Sequence, residues 1–387
     1  MTVPPAGGWQ QPRPDLGPAG QGYPGPQPPY PGAGAPQQPY GGPPAGSWPA
    51  QPGYPPPGPP PKGNRLKWIL GGLAVLLVIG LAVTTTLLVT RGDKSPTPGS
   101  TSAPSDVASA NDTGPVSIIT VEPTCTAYNT VNNAVAAVQS NGWGENRASL
   151  GPVAQWTSDQ RTQVEAVVAA LRKNADQLVP LAKQTPHRLV RELYEQIIAY
   201  ERVYVDSIAS YDPRDNSLAD TFVNAQVAAV SLCNTIENGS AVRATVGPAA
   251  PPTSPAPVGD PANPQRFVTK SDATCQAWIP REDKFVADTD AWSKFDSGIP
   301  ATSWSPEQRA ANEAVFPVTA AYADAIEKAG RSSGNPVLED FAVAAALYMR
   351  AWVAVGTNFV RADGWLDATG ARFGNVVTGA CQAVGSS

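Results

Sequence analysis

The sequence predicts an all-α protein: a disordered Pro/Gly-rich tail, a single transmembrane helix, and two tandem disulfide-closed bundles of about four helices each. Three observations predict this layout. They are a 23-residue run without charge, an internal repeat that ends on a cysteine in both copies, and apolar stripes at helical spacing inside each copy. The organisation read from them is a cytoplasmic tail with a basic collar at 1–67, a membrane helix at 68–90 and a Ser/Thr/Pro stalk at 91–117. Helical repeat one follows at 118–238, a Pro-rich linker at 239–270 and helical repeat two at 271–387.

The tail carries 22 of the 43 prolines within residues 1–61, interleaved with glycine, glutamine and the tyrosines Tyr23, Tyr30, Tyr40 and Tyr54. It has almost no aliphatic side chains to bury. Nothing there offsets roughly 1–2 kcal/mol per residue of lost backbone freedom, so disorder with extended polyproline-like stretches is expected. Trp68 to Thr90 is 23 residues without a charge, which as a helix spans about 34 Å against a hydrocarbon core of about 30 Å. Lys62, Arg65 and Lys67 flank its N-terminal side and favour a cytoplasmic tail. All four cysteines lie after the membrane helix, and bonds between them persist only in an oxidising space. The expected location is therefore the plasma membrane, with the N-terminus inside and both repeats outside. Gly72 and Gly80 leave room for a second membrane helix, which allows a homodimer.

Shifting the outer region by 148 residues aligns Pro152 to Cys233 with Pro300 to Cys381 without a gap, with 16 identities in 82 pairs. Trp156 falls on Trp304, Arg161 on Arg309, Tyr200 on Tyr348, Arg202 on Arg350 and Cys233 on Cys381. A two-residue change upstream aligns Cys125 with Cys275. Each copy thus begins and ends at a cysteine, and of the three pairings that four cysteines allow, duplication favours Cys125–Cys233 and Cys275–Cys381. The prolines between Val246 and Gln265 are expected to act as a semi-rigid spacer between independent bundles.

Within copy one, Val164, Val168, Leu171, Ala175, Leu178 and Ala182 form one stripe, and Leu189, Leu193, Ile197, Tyr200 and Tyr204 another. Copy two repeats the second as Val337, Phe341, Ala345, Tyr348 and Trp352. Thr157-x-x-Gln160 and Ser305-x-x-Gln308 read as capping boxes, with Pro306 at a first helical position. Trp156 and Trp304 precede these caps, with Arg161 and Arg309 four residues after the cap residue, the arrangement of a Trp–Arg staple. Arg202 and Arg350 point away from the tyrosine stripe, towards an ion pair with Glu165 or Asp176 in copy one and Glu313 or Asp324 in copy two, or towards a ligand.

No catalytic constellation stands out. His187 is the single histidine, its counterpart is Asn335, and it reads as a turn or capping residue. H-E-x-x-H, G-x-S-x-G, a phosphate-binding glycine loop and C-x-x-C are all missing from the sequence. Asp212, Asp215 and Asp220 match no calcium loop, and no cofactor or metal is expected. From residue 95 onward 21 Lys or Arg stand against 30 Asp or Glu, a balance that disfavours nucleic acid as a partner. Copy two holds Trp278, Trp292, Trp304, Trp352 and Trp365. Trp278, Phe285 and Trp292 at spacing seven read as a buried helix face, and the same aromatic surface is suited to lining a groove.

The tail with its segment PGYPPPGPPPK, the basic collar, the membrane helix and the Ser/Thr/Pro stalk together resemble proline-rich single-pass envelope proteins of mycobacteria and related actinobacteria. The resemblance covers roughly residues 1–115, names no family for the repeats and carries over no functional residues. It implies a cell-envelope protein. The expected function is a non-enzymatic, membrane-anchored scaffold that binds a protein or envelope component. The alternatives are a sensor or accessory subunit signalling through the membrane helix, and a carboxylate-dependent envelope hydrolase.

Overall fold

The computed structural model describes residues 106–385, which belong to one compact unit. The expected tail, membrane helix and most of the stalk lie outside the described residues. Among the described residues no helix is long and apolar enough to cross a membrane, and the secondary structure is helical throughout.

Each copy contributes four long helices. Copy one has α1 (Cys125–Gln139), α2 (Ser158–Gln184), α3 (Arg188–Ser207) and α4 (Asn216–Glu237); copy two has α5 (Ala273–Ser293), α6 (Pro306–Ser332), α7 (Pro336–Val355) and α8 (Gly364–Gly385). Their starts are set by local chemistry. The Thr157 hydroxyl accepts from the Gln160 amide while the Gln160 side chain accepts from the Thr157 amide, closing the capping box at α2. Ser305 caps α6 through the Gln308 amide, and Asn335 caps α7 through the Leu338 amide, with Pro306 and Pro336 at first helical positions. His187 stands before α3 and its ring Nε2 is 2.8 Å from the Val121 carbonyl. Disulfides join Cys125 to Cys233 and Cys275 to Cys381, with Cα separations of 5.5 and 5.1 Å. Each bond ties the first helix of a copy to its last.

The two copies are not held apart. The most extensive helix packing in the described region joins α4 to α8, and a single apolar core runs from Tyr128 and Tyr194 in copy one to Phe341 and Phe373 in copy two. Thr235 and Thr369 meet hydroxyl to hydroxyl at 3.0 Å across this seam. The proline-rich stretch expected to act as a spacer runs instead as a strap pinned to both copies. Arg331 donates to the Ala250 and Pro251 carbonyls, Glu339 accepts from the Thr253 amide, and Arg202 donates to the Ala262 carbonyl. Its prolines cannot continue a helix, and the carbonyls of Ala250, Pro251 and Ala262 that a helix would have paired are satisfied by these arginines.

At the centre of the seam the buried Arg188 donates from Nε to Asp340 at 2.7 Å and from Nη2 to the other Asp340 oxygen at 3.1 Å. Its remaining donors reach the carbonyls of Asp112 and Gly114, drawing the segment before α1 against the helices. The buried Glu192 lies 3.8 Å from the same guanidinium. Removing one member of a buried ion cluster leaves the rest uncompensated, so Arg188→Ala should lose about 3–5 kcal/mol in urea unfolding. Arg202→Ala, whose partner Asp176 is exposed, should lose under about 1 kcal/mol. Equal losses would show that the seam does not concentrate the charge burial.

Candidate binding cleft

Copy one is filled at the end away from its disulfide. After α1, Gly142 takes a left-handed conformation with φ 86°, and the single helical turn that follows swings Trp143 into the bundle. Trp143 stacks on Phe222 at 6.2 Å, meets Tyr204 edge-on at 6.0 Å and lies beneath the Arg147 guanidinium. Arg147 in turn pairs with Asp220 at 2.6 Å. Val164, Leu171, Ala219 and Phe222 are fully buried around it.

Copy two places other residues at the same positions. The 148-residue shift replaces Val164 by Asn312, Leu171 by Thr319, Ala219 by Asp367 and Phe222 by Gly370. Gly370 is required by close approach, because a Cβ there would sit 2.9 Å from the Ala345 carbonyl and 2.8 Å from Met349 Cγ. The helix α5 runs unbroken to Ser293 and inserts no turn into the bundle. The result is a cleft of about 120 Å³ bounded by all four helices of copy two and the loops that join them. This is the volume of one ring-sized group.

Aromatic faces form its walls. Trp352 is met edge-on by Trp292 at 5.3 Å and by Phe316 at 5.2 Å, Trp304 stacks on Phe359 at 6.0 Å, and Trp365 borders the same space. Trp292 is held in place by its Nε1 donating to Asn312 Oδ1 at 2.9 Å. Deeper in, the Tyr322 hydroxyl donates to Glu282, whose pKa is raised by burial. Asp367 differs from Glu282. It lines the cleft with no hydrogen-bond or ion-pair partner among the described residues, and burial alone pushes its pKa up to about 7. Arg372 turns Nη1 to Asn224 of copy one at 2.8 Å, and burial lowers its pKa. Glu282 is engaged and Asp367 stands alone, so the arrangement suits stacking and charge recognition better than paired-carboxylate chemistry.

Of the residues singled out from the sequence, Trp304 borders the cleft together with Phe285, Trp292, Trp352 and Trp365, the aromatic surface suited to a groove; Trp156, Arg161, Arg202, Arg309 and Arg350 do not line it. Trp156 and Trp304 make matching bonds, with Nε1 donating to the Gly151 and Ile299 carbonyls at 2.7 and 2.8 Å. Arg161 and Arg309 donate to the Val153 and Ala301 carbonyls, and the Arg309 guanidinium lies 5.6 Å from the Trp304 ring centroid. Arg202 pairs with Asp176 at 3.4 Å, and Arg350 with Asp324 at 2.7 Å and Glu327 at 2.5 Å, on outer faces of the bundles. Trp278 and Phe285 are buried as their spacing suggests, whereas Trp292 opens onto the cleft. Asp212 binds Arg214 at 2.8 Å in its own turn, and no group of metal-ligating side chains occurs among the described residues. Asp367, Asn312 and Thr319 escaped the sequence reading. Their signal was the position-by-position comparison of the copies, where apolar core residues of one become polar or small in the other.

The family described as mycobacterial ESX-1 associated protein matches residues 107–385, the whole helical region. An uncharacterized protein of Mycolicibacterium smegmatis (strain MKD8) is 39% identical over 347 residues, covering 88% of this chain and 92% of the relative. No solved structure matches the chain.

Two outcomes follow from the copy comparison. Trp156 is 7% exposed while Trp304 is half-buried beside the cleft. Thermal unfolding should therefore show Trp156→Ala costing about 3 kcal/mol and Trp304→Ala clearly less. Asp367 has a folded-state pKa above its unfolded value of 3.8, so its contribution to stability is complete below that value and is lost as pH rises towards about 7. Relative to Asp367→Asn, the wild-type protein should lose stability between about pH 4 and pH 7 in denaturant titrations; parallel curves would place Asp367 in open water.

Proposed function

We propose, on the premise that the chain belongs to the mycobacterial ESX-1 associated protein family, that it is a non-enzymatic envelope protein holding a partner in the copy-two cleft. In this reading residues 68–90 anchor the chain in the plasma membrane, the tail lies inside, and the repeats face outward as a scaffold for a secretion-system-related assembly. The observation that carries it is the difference between the copies. One bundle buries Trp143 stacked on Phe222, and the other has no such pair and keeps an aromatic-walled cleft. A purely structural spacer has no reason to forgo that packing, because an unfilled core costs stability. The buried disulfides agree with an oxidising location.

A photo-crosslinking amino acid at Trp365, beside the cleft, compared with one at Arg202 on the far copy, tests the assignment in native membranes. Crosslinks to a protein partner should form from position 365 and disappear in cells lacking the secretion system; equal or no crosslinks from the two positions would overturn it. Protease added to intact spheroplasts should cut the repeats and spare the tail, and the opposite pattern would overturn the topology.

A further inference from the structure

The copy-two cleft offers more than an apolar surface. Its walls include Trp292, Trp352 and Trp365, whose ring faces carry the negative end of the quadrupole, while the Trp304 ring is already stacked on Phe359 with the Arg309 guanidinium over it. The carboxyl of Asp367 lines the same space without a partner. Of the other charged groups bordering the cleft, Glu282 of α5 is bonded to the Tyr322 hydroxyl, and Arg372 of α8 is bonded through Nη1 to Asn224 of copy one while its buried Nε has no partner among the described residues. Asp296 and Arg361, of opposite charge, both flank Gly298 at the rim. The linings contributed by α6 and α7 carry no charged residue. Copy one has Ala219 at the position of Asp367, so the bundle itself does not require an acid there.

Taking the cleft as a binding site, as proposed above, we infer that it receives an organic cation on an apolar stem or ring, seated against the tryptophan faces with its charge on Asp367. A neutral ring would fill the volume but leave the half-buried carboxyl unpaired. An anion would meet both that carboxyl and the negative ring faces. A cation gains from each, since stacking against aromatic faces and pairing with a half-buried acid act in the same direction. The acidity of the surroundings agrees, with 9 Lys or Arg against 14 Asp or Glu in residues 271–387. The volume of about 120 Å³ admits one side chain or one small amine. A partner protein's lysine or arginine and a free aromatic amine share this chemistry.

The test uses the full-length chain in lipid nanodiscs with two probes of matched shape, fluorinated benzylamine and fluorinated benzyl alcohol, followed by fluorine NMR. At pH 8 the protonated amine should bind about tenfold tighter than the alcohol. That preference should vanish in Asp367→Asn, and in Asp367→Ala, which installs the copy-one residue. It should also fall in the wild type as pH drops to 5, because Asp367 takes up a proton while the amine stays charged. Equal binding of the two probes, or a preference that survives both variants, overturns the cation assignment and leaves the cleft standing as a binding site. Binding of neither probe overturns the cleft itself. An acetylated, amidated Trp-Lys dipeptide that binds tighter than benzylamine assigns the source to a protein side chain; the reverse order assigns it to a free amine.

Discussion

Everything in the described region is organised around the buried guanidinium of Arg188. Duplication creates a problem at this point, because Glu192 and Asp340 occupy equivalent positions in the two copies and the seam brings both into its dry interior. Burial, with the neighbouring Asp340 adding to it, raises the Glu192 pKa well above its ordinary value, and the guanidiniums of Arg191 and Arg188 act against that rise. Arg188 makes the bidentate bond to Asp340, and the buried Arg191 lies 3.5 Å from Glu192. Copy two has Pro336 and Glu339 where copy one has Arg188 and Arg191, so the solution is asymmetric: both arginines come from copy one, Arg188 bonded to Asp340 and Arg191 beside Glu192. The same guanidinium gathers the Asp112 and Gly114 carbonyls, which positions the segment whose Ile119 amide donates to the buried Tyr348 hydroxyl. Loss of this one side chain would therefore loosen the entry segment, the seam and the arrangement of α3 and α7 together.

Once the copies share a core, they no longer need to be equally well packed. Copy one keeps its inserted Trp143 and the Arg147–Asp220 pair that covers it, and so serves as the rigid half. Copy two is supported along α8 by α4 and can keep a cleft among its four helices. Arg372 shows how the halves cooperate. It belongs to the helix bearing Asp367 and borders the cleft, yet its Nη1 donates to Asn224 of copy one, which fixes the position of its guanidinium from across the seam. The duplication thus separates two demands that conflict within a single bundle, tight packing and an open pocket.

Much of this was legible in the amino-acid order, for identifiable reasons. Helix stripes, capping boxes and cysteines at the ends of each copy are local or periodic signals, and Thr157, Ser305, Tyr200 and Tyr348 sit where such signals place them. The strap was misjudged because proline composition reports stiffness and says nothing of what the carbonyls meet; Arg331 and Arg202 supply that, from distant points in the chain. The seam was invisible because both copies carry amphipathic helices, and a stripe does not tell whether it is covered by its own bundle or by the neighbour. Trp292 admitted two readings for a related reason. Its spacing from Phe285 marks the helix face, which suits either a buried stripe or a groove wall, and the choice depends on Asn312 and Asp367, which belong to other helices.

The cleft has a cost, and its size shows what offsets it. An unfilled volume of about 120 Å³ corresponds to a penalty of about 3 kcal/mol at roughly 24 cal/mol per Å³, and less where the space opens to solvent. The Cys275–Cys381 bond closes a loop with a sequence separation of 106 residues, worth up to about 4–5 kcal/mol in the chain-entropy account. The bond therefore covers the penalty with a little to spare. The geometry agrees with this division of labour. The disulfide ties α5 to α8 at one end of copy two, where Trp278 is buried and donates to the Thr378 hydroxyl at 3.0 Å. The cleft lies towards the opposite end of the same two helices, near Trp292 and Asp367. Fixing the helices covalently at one end lets the other stand apart without fraying, so the bond also maintains the open site.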